Sequence, residues 1–144
     1  MQKKIVSTNI SETTRLAGEL IKNTDQHIFF LYGDLGSGKT TFVQGVGEEL
    51  KLSHHLNSPT FIIMRSYELT GQKWDMLYHV DLYRVDSVHE IEELGILDLM
   101  GDPKNLFMIE WPEKLAPFFP PKRVELHFHY LDENKREIKI EEIV

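Results

Sequence analysis

Apolar and polar positions along the chain follow two periods, and the places where one gives way to the other outline the elements. Lys3 to Thr8 reads as a short first strand. Ser11-Glu12-Thr13-Thr14 offers a helix start with Ser11 as its cap, and Leu16, Ala17, Leu20 and Ile21 follow on one helical face. Asn23-Thr24-Asp25 closes that helix and leads into Ile28 to Tyr32, an unbroken apolar run of strand length. A second helix, from about Lys39 to Lys51, keeps Phe42, Val43, Val46 and Leu50 on one stripe. Gly45 and Gly47 weaken it intrinsically and suggest close packing on a sheet. Leu52 to Pro59 has no period and reads as a loop. Phe61 to Leu69 and Trp74 to Tyr83 are rich in β-formers and separated by Thr70-Gly71-Gln72-Lys73, which predicts an antiparallel hairpin. Ser87-Val88-His89-Glu90 is a capping box for a short helix that runs to about Leu94 and stops at Gly95. Leu106 to Ile109 reads as a buried strand, after which Pro112, Pro117, Pro120 and Pro121 leave room for one helical turn at most. Val124, Leu126, Phe128 and Tyr130 then alternate with polar residues, and Asp132-Glu133-Asn134-Lys135 turns the chain back into Arg136 to Glu142 as a second hairpin.

The strand Ile28 to Tyr32 is followed at once by Gly33-Asp34-Leu35-Gly36-Ser37-Gly38-Lys39-Thr40, which satisfies G-x-x-x-x-G-K-[ST] at every fixed position. Each residue type there has a chemical reason. Glycines let the backbone curl so that successive N–H groups converge on a phosphate. Lys39 brings a cation to the β- and γ-phosphates, and the Thr40 hydroxyl suits one coordination position on Mg²⁺. The helix beginning near Lys39 turns its positive dipole end toward the same anion. A chance match in such a chain arises in about one case in a hundred or fewer, and the strand before and helix after are both in place. Asp34, Gly36, Ser37, Gly38, Lys39, Thr40 and Thr41 are therefore the expected phosphate-binding residues. The expected architecture is one α/β domain over residues 1–144: a P-loop NTPase-like, three-layer arrangement with a mixed sheet, parallel around the loop and extended by antiparallel hairpins.

The 144 residues suit a one-domain core that buries roughly 68–70% of the unfolded surface without disulfides. With no cysteine, a disulfide scaffold, a thiol nucleophile and cysteine-ligated zinc are excluded. Neither a signal-peptide pattern at Met1-Gln2-Lys3-Lys4-Ile5 nor a membrane-spanning stretch is found, so a cytoplasmic location is expected. A net charge of −7 argues against wrapping nucleic acid directly, and any contact with RNA is expected through a partner.

A nucleotide triphosphate brings Mg²⁺, which P-loop proteins hold partly through an acidic residue at a neighbouring strand end. Two such residues close apolar runs: Asp81 after Met76 to Val80, and Glu110 after Leu106 to Ile109. His79 shares a strand face with Asp81 and either orients its carboxylate or sits satisfied in the core. His127 and His129 also share a face, but no third metal ligand accompanies them. Asn134-Lys135-Arg136-Glu137 falls short of a guanine-reading N-K-x-D and reads as a solvated turn.

Gly33 to Thr41, Ser58-Pro59-Thr60-Phe61, His79-Val80-Asp81-Leu82-Tyr83-Arg84 and Ile109-Glu110-Trp111-Pro112-Glu113, in this order and spacing, resemble the TsaE (YjeE) family of bacterial ATPases of threonylcarbamoyladenosine tRNA modification. Ser37 departs from the alanine usual in that family, at a variable position of the loop. The resemblance implies a Mg²⁺-dependent ATPase, weak alone, that works with TsaD and TsaB and meets tRNA only through that complex. It assigns Lys39 to phosphate, Thr40 and Glu110 to Mg²⁺, Asp81 to the neighbourhood of metal and attacking water, and Thr60 to a switch-like loop beside the γ-phosphate. Tyr83, Arg84 and Trp111 belong to the same motifs and are left between nucleotide and partner. Two rivals share the loop: a small-molecule kinase, for which no arginine-rich lid is evident, and a nucleotide-gated binding module without useful turnover.

Overall fold

The computed structural model describes residues 2–53 and 63–144. Its elements are β1 (Gln2–Ser7), α1 (Ile10–Asn23), β2 (Ile28–Tyr32), α2 (Lys39–Glu49), β3 (Met64–Glu68), β4 (Met76–Asp81), α3 (Val88–Glu93), α4 (Ile96–Met100), β5 (Asn105–Glu110), a 3₁₀ turn (Pro112–Leu115), β6 (Arg123–Tyr130) and β7 (Arg136–Ile143). The seven strands form one sheet in the order β1-β7-β6-β2-β5-β4-β3. β6, β2, β5 and β4 run parallel, while β3, β7 and β1 add antiparallel edges.

Burial on both faces accounts for the unbroken apolar runs. Phe29 and Leu31 of β2 join Leu106 and Met108 of β5 under α1 and α2, where Ala17, Ile21, Phe42, Val43 and Val46 cover them. Ile28 and Phe30 point to the opposite face with Phe107 and Ile109, under Ile91 of α3, Ile96 and Met100 of α4, and Leu115. That second helical layer stops at β2. Val124, Leu126 and Phe128 of β6 and Ile138 and Ile140 of β7 enter only the first core, which is why β6 alternates instead of being apolar throughout. Among the described residues no helix is long and apolar enough to cross a membrane.

Three local expectations are corrected. Helix α1 is capped by Asn9, not Ser11: the Asn9 side-chain carbonyl accepts the Glu12 N–H at 2.9 Å, and the Glu12 carboxylate accepts the Thr8 N–H at 3.3 Å. The loop of the β3–β4 hairpin is longer than its four-residue turn, because pairing ends at Glu68 and Met76. Gly45 meets α1, not the sheet: a Cβ there would stand 2.7 Å from the Thr14 carbonyl oxygen and 2.9 Å from the Ala17 methyl. Gly45→Ala is therefore expected to destabilise the fold by up to about 2 kcal/mol, the balance of an overpacking cost of about 1–3 kcal/mol and a helix-propensity gain of roughly 1 kcal/mol. Urea unfolding checks this, and an unchanged or raised midpoint would mean that α1 and α2 have room to separate.

Candidate functional site

The loop between β2 and α2 is shaped by its glycines. Gly33 has φ 149° and faces the Phe128 carbonyl, which an added Cβ would approach to 2.8 Å; no side chain fits there. The Ser37 N–H donates to the Asp34 carbonyl at 3.2 Å, closing the turn. Gly38, at φ 108°, is the N-cap of α2, and its carbonyl accepts the Phe42 N–H at 3.0 Å. α1 and α3 both begin with a side-chain cap, from Asn9 and Ser87, whereas α2 has no side-chain cap and no acidic residue in its first turn. Its first N–H groups are thereby left for an anion. Beneath the loop, the Ser37 hydroxyl is buried without a hydrogen-bond partner.

Lys39 opens α2 with its side chain 4% exposed. Its ammonium donates to the Gly33 carbonyl and lies 4.2 Å from the centroid of the Trp111 ring. Burial pushes the Lys39 pKa below the usual lysine value, against the upward pull of Glu110 and Asp81. Trp111 itself adopts the left-handed region, φ 57°, which is costly for a bulky residue. That turn follows β5 directly and sets the indole over Lys39, with the Tyr83 ring 4.9 Å away.

The two acids come together through the parallel pairing of β4 and β5, which sets Asp81 opposite Glu110 in register. Glu110 is 3% exposed and Asp81 half-buried. Each carboxylate is held by a different donor. Asp81 accepts the Tyr83 N–H at 3.0 Å, and Glu110 Oε2 lies 2.7 Å from Nε2 of the fully buried His79. His79 thus meets Glu110 and not the neighbouring Asp81. In the register Met108 faces His79 and Glu110 faces Asp81, so the contact is diagonal, about 7–8 Å between backbones and spanned by two long side chains.

A cavity of about 850 Å³ opens over the loop. Gly36, Gly38, Lys39, Thr40, Thr41, Asp81 and Glu110 all line it, as do Tyr83, Arg84 and Trp111. Asp34 and Ser37 are not part of its wall: Asp34 is exposed in the turn, and Ser37 is tucked beneath it. Thr60, with Ser58, Pro59 and Phe61, lies outside the described residues. The far wall is built from residues that the spacing did not mark. Asn9, Ile10, Ser11 and Thr13 come from the start of α1, Glu133 and Asn134 from the β6–β7 turn, and Arg136 from the first position of β7. The Asn134-Arg136 stretch is a turn as expected, but not merely a solvated one, because the Arg136 stem comes within 3.6 Å of where a Gly38 Cβ would stand. Only the placement of β6 beside β2 brings it there, and no local signal announces that pairing. His127 stacks on Tyr32 at 4.4 Å and hydrogen-bonds Glu125 at 3.2 Å, and among the described residues no three His, Asp or Glu side chains form a metal cage.

These residues fit a phosphate group with a hard divalent cation. The uncapped N-terminus of α2, the left-handed glycines and the Lys39 ammonium suit an anion. Thr40, Asp81 and Glu110 supply oxygen donors of the kind that Mg²⁺ takes.

The family model "Threonylcarbamoyl adenosine biosynthesis protein TsaE" matches residues 7–138. A tRNA threonylcarbamoyladenosine biosynthesis protein TsaE of Borreliella burgdorferi is 40% identical over 67% of this chain and 68% of its own length. One of Rickettsia felis is 36% identical over 92% of this chain and 75% of its own. The crystal structure of Bacillus subtilis YdiB superposes with a TM-score of 0.76 at 25% identity, over 100% of this chain and 87% of that one.

Proposed function

The chain belongs to the TsaE family of tRNA threonylcarbamoyladenosine biosynthesis proteins, and from that premise we propose that it binds ATP with Mg²⁺ and hydrolyses it slowly in support of this tRNA modification. The observation that carries the reading is the meeting of three elements at one cavity: the uncapped start of α2, Lys39, and the paired strand ends Asp81 and Glu110. The α2 N–H groups and the loop backbone hold the phosphates. Lys39 exchanges a carbonyl and an indole face for phosphate oxygens, a stronger partner for a buried cation. Thr40 and Glu110 hold Mg²⁺, and Asp81 orients the attacking water from the adjacent strand end. When bound, the ion offsets negative charge on the β- and γ-phosphate oxygens.

The partners in this reading are TsaB and TsaD, and tRNA is reached through them; the charge of −7 supports an indirect contact. An arginine supplied in trans accelerates related nucleotide hydrolysis by roughly 10³–10⁵-fold, which is the reason to expect slow turnover by this chain alone. The test is a titration with ATP, ADP and GTP, with and without TsaB–TsaD, followed by product analysis. Mg²⁺-dependent release of inorganic phosphate, raised by the partners, is expected. Phosphate transfer to an added metabolite would favour a kinase, and binding without turnover in any mixture would leave a gated binding module. Linkage adds a second requirement: whatever factor ATP adds to partner affinity, the partners add to ATP affinity.

Trp111 supplies a direct readout. Its ring rests on the Lys39 ammonium, whereas Trp74 is buried in the core under α1 and α2. Nucleotide binding that draws Lys39 away is expected to change indole emission in wild type and in Trp74→Phe, and to leave it unchanged in Trp111→Phe. A full response in Trp111→Phe would mean that the Lys39–Trp111 contact persists.

A further inference from the structure

His79 carries a hydrogen-bonding function that the motif at the strand end does not explain. Along the α1/α2 face of β4 the sequence reads Leu77, His79, Asp81, so the imidazole stands between an apolar core position and the cavity wall. The ring is fully buried. A carboxylate only accepts, so the proton shared at 2.7 Å sits on Nε2, and Nδ1 is left buried with no partner. An apolar side chain of similar size would fill the space without stranding a ring nitrogen. Among the described residues, the one hydrogen bond the ring makes is the one to Glu110.

We propose that His79 is a positioning residue for Glu110: its Nε2–H holds carboxylate Oε2 and so leaves the other oxygen set toward the cavity for the divalent cation. The terminal torsion of a glutamate is broad, and a buried carboxylate without a donor either swings away from its task or pays a large desolvation cost. Asp81 needs no such aid, because the Tyr83 backbone N–H already holds it. Carboxylate ligands of metal sites are themselves hydrogen-bonded, and loss of such a donor costs about 10–100-fold in metal affinity. The inference rests on the reading of Glu110 as a cation ligand, and its test separates the two.

The experiment measures binding of N-methylanthraniloyl-ADP without Mg²⁺ and then the Mg²⁺ concentration at half-maximal tightening. It compares wild type, His79→Leu, His79→Gln, Glu110→Gln and the His79→Leu/Glu110→Gln pair. His79→Leu is expected to raise the Mg²⁺ midpoint about 10–100-fold while leaving Mg²⁺-free affinity unchanged. His79→Gln, which keeps an N–H donor, is expected to recover most of that loss. In the Glu110→Gln background, His79→Leu is expected to add nothing further, since two residues acting through one contact are not additive. An unshifted midpoint in His79→Leu would overturn the proposal. So would a loss of Mg²⁺-free affinity that glutamine does not restore, or full additivity in the pair. A wild-type midpoint in Glu110→Gln alone would instead overturn the assignment of Glu110.

Discussion

Lys39→Ala is expected to weaken ATP binding by about 2–4 kcal/mol, roughly 30- to 700-fold in Kd, and to leave the fold intact. The side chain is buried, but its ammonium is not used by the core: it rests on a loop carbonyl and an indole face at the cavity. Truncation therefore removes the cation that a phosphate would meet and relieves a desolvated charge in the free protein. The same burial gives a signed pH effect. With its pKa below that of an unfolded lysine, Lys39 binds fewer protons folded than unfolded, so its contribution to stability rises with pH between the depressed value and the ordinary lysine value. Lys39→Ala is expected to lack that rise. Calorimetric titration with ATP, beside thermal unfolding across alkaline pH, checks both parts. Wild-type ATP affinity in the variant would refute the loop assignment.

Glu110→Gln is expected to lower Mg²⁺-dependent hydrolysis by roughly 10²–10³-fold while preserving the fold and much of the nucleotide binding. Glutamine keeps the shape of a side chain that is 3% exposed, and its carbonyl still accepts the His79 N–H. What is lost is the negative charge beside Lys39 and opposite Asp81. Asp81→Asn is expected to be inactive as well, because both strand ends face the same cavity. Phosphate release by each variant, measured across Mg²⁺ concentrations, separates the roles. Normal hydrolysis by Glu110→Gln with loss in Asp81→Asn would move the cation entirely to Asp81.

Much of this site is readable from the chain because its parts are local. The glycine-rich loop is a run of consecutive residues between an apolar strand and an amphipathic helix, and Gly33, Gly36 and Gly38 all take the positive φ that its glycines imply. Asp81 and Glu110 stand out in the sequence because each ends an apolar run, and parallel pairing brings such ends to one edge of the sheet. Both hairpins are announced by polar turn residues between stretches of strand-forming residues, although pairing of the first ends at Glu68 and Met76, outside its four turn residues. The capping box at Ser87 to Glu90 is equally local: the Glu90 N–H reaches the Ser87 hydroxyl at 3.4 Å. Helix α4 escaped notice because five residues directly after Gly95 are too short to show a period.

Sequence by itself thus determined most of the elements, the α/β class, the glycine-rich loop between β2 and α2 and the two candidate acids, since each depends on residues within a turn or strand of one another. The tertiary structure alone decided that His79 pairs with Glu110, that Trp111 covers Lys39, that Gly45 admits α1, and that the β6–β7 turn closes the far wall of the cavity. Periodicity says which face of an element is apolar, but not which other element covers it. That choice is made by the joint burial of all the faces and by strand order, and a contact across the sheet leaves no trace in the spacing of either partner.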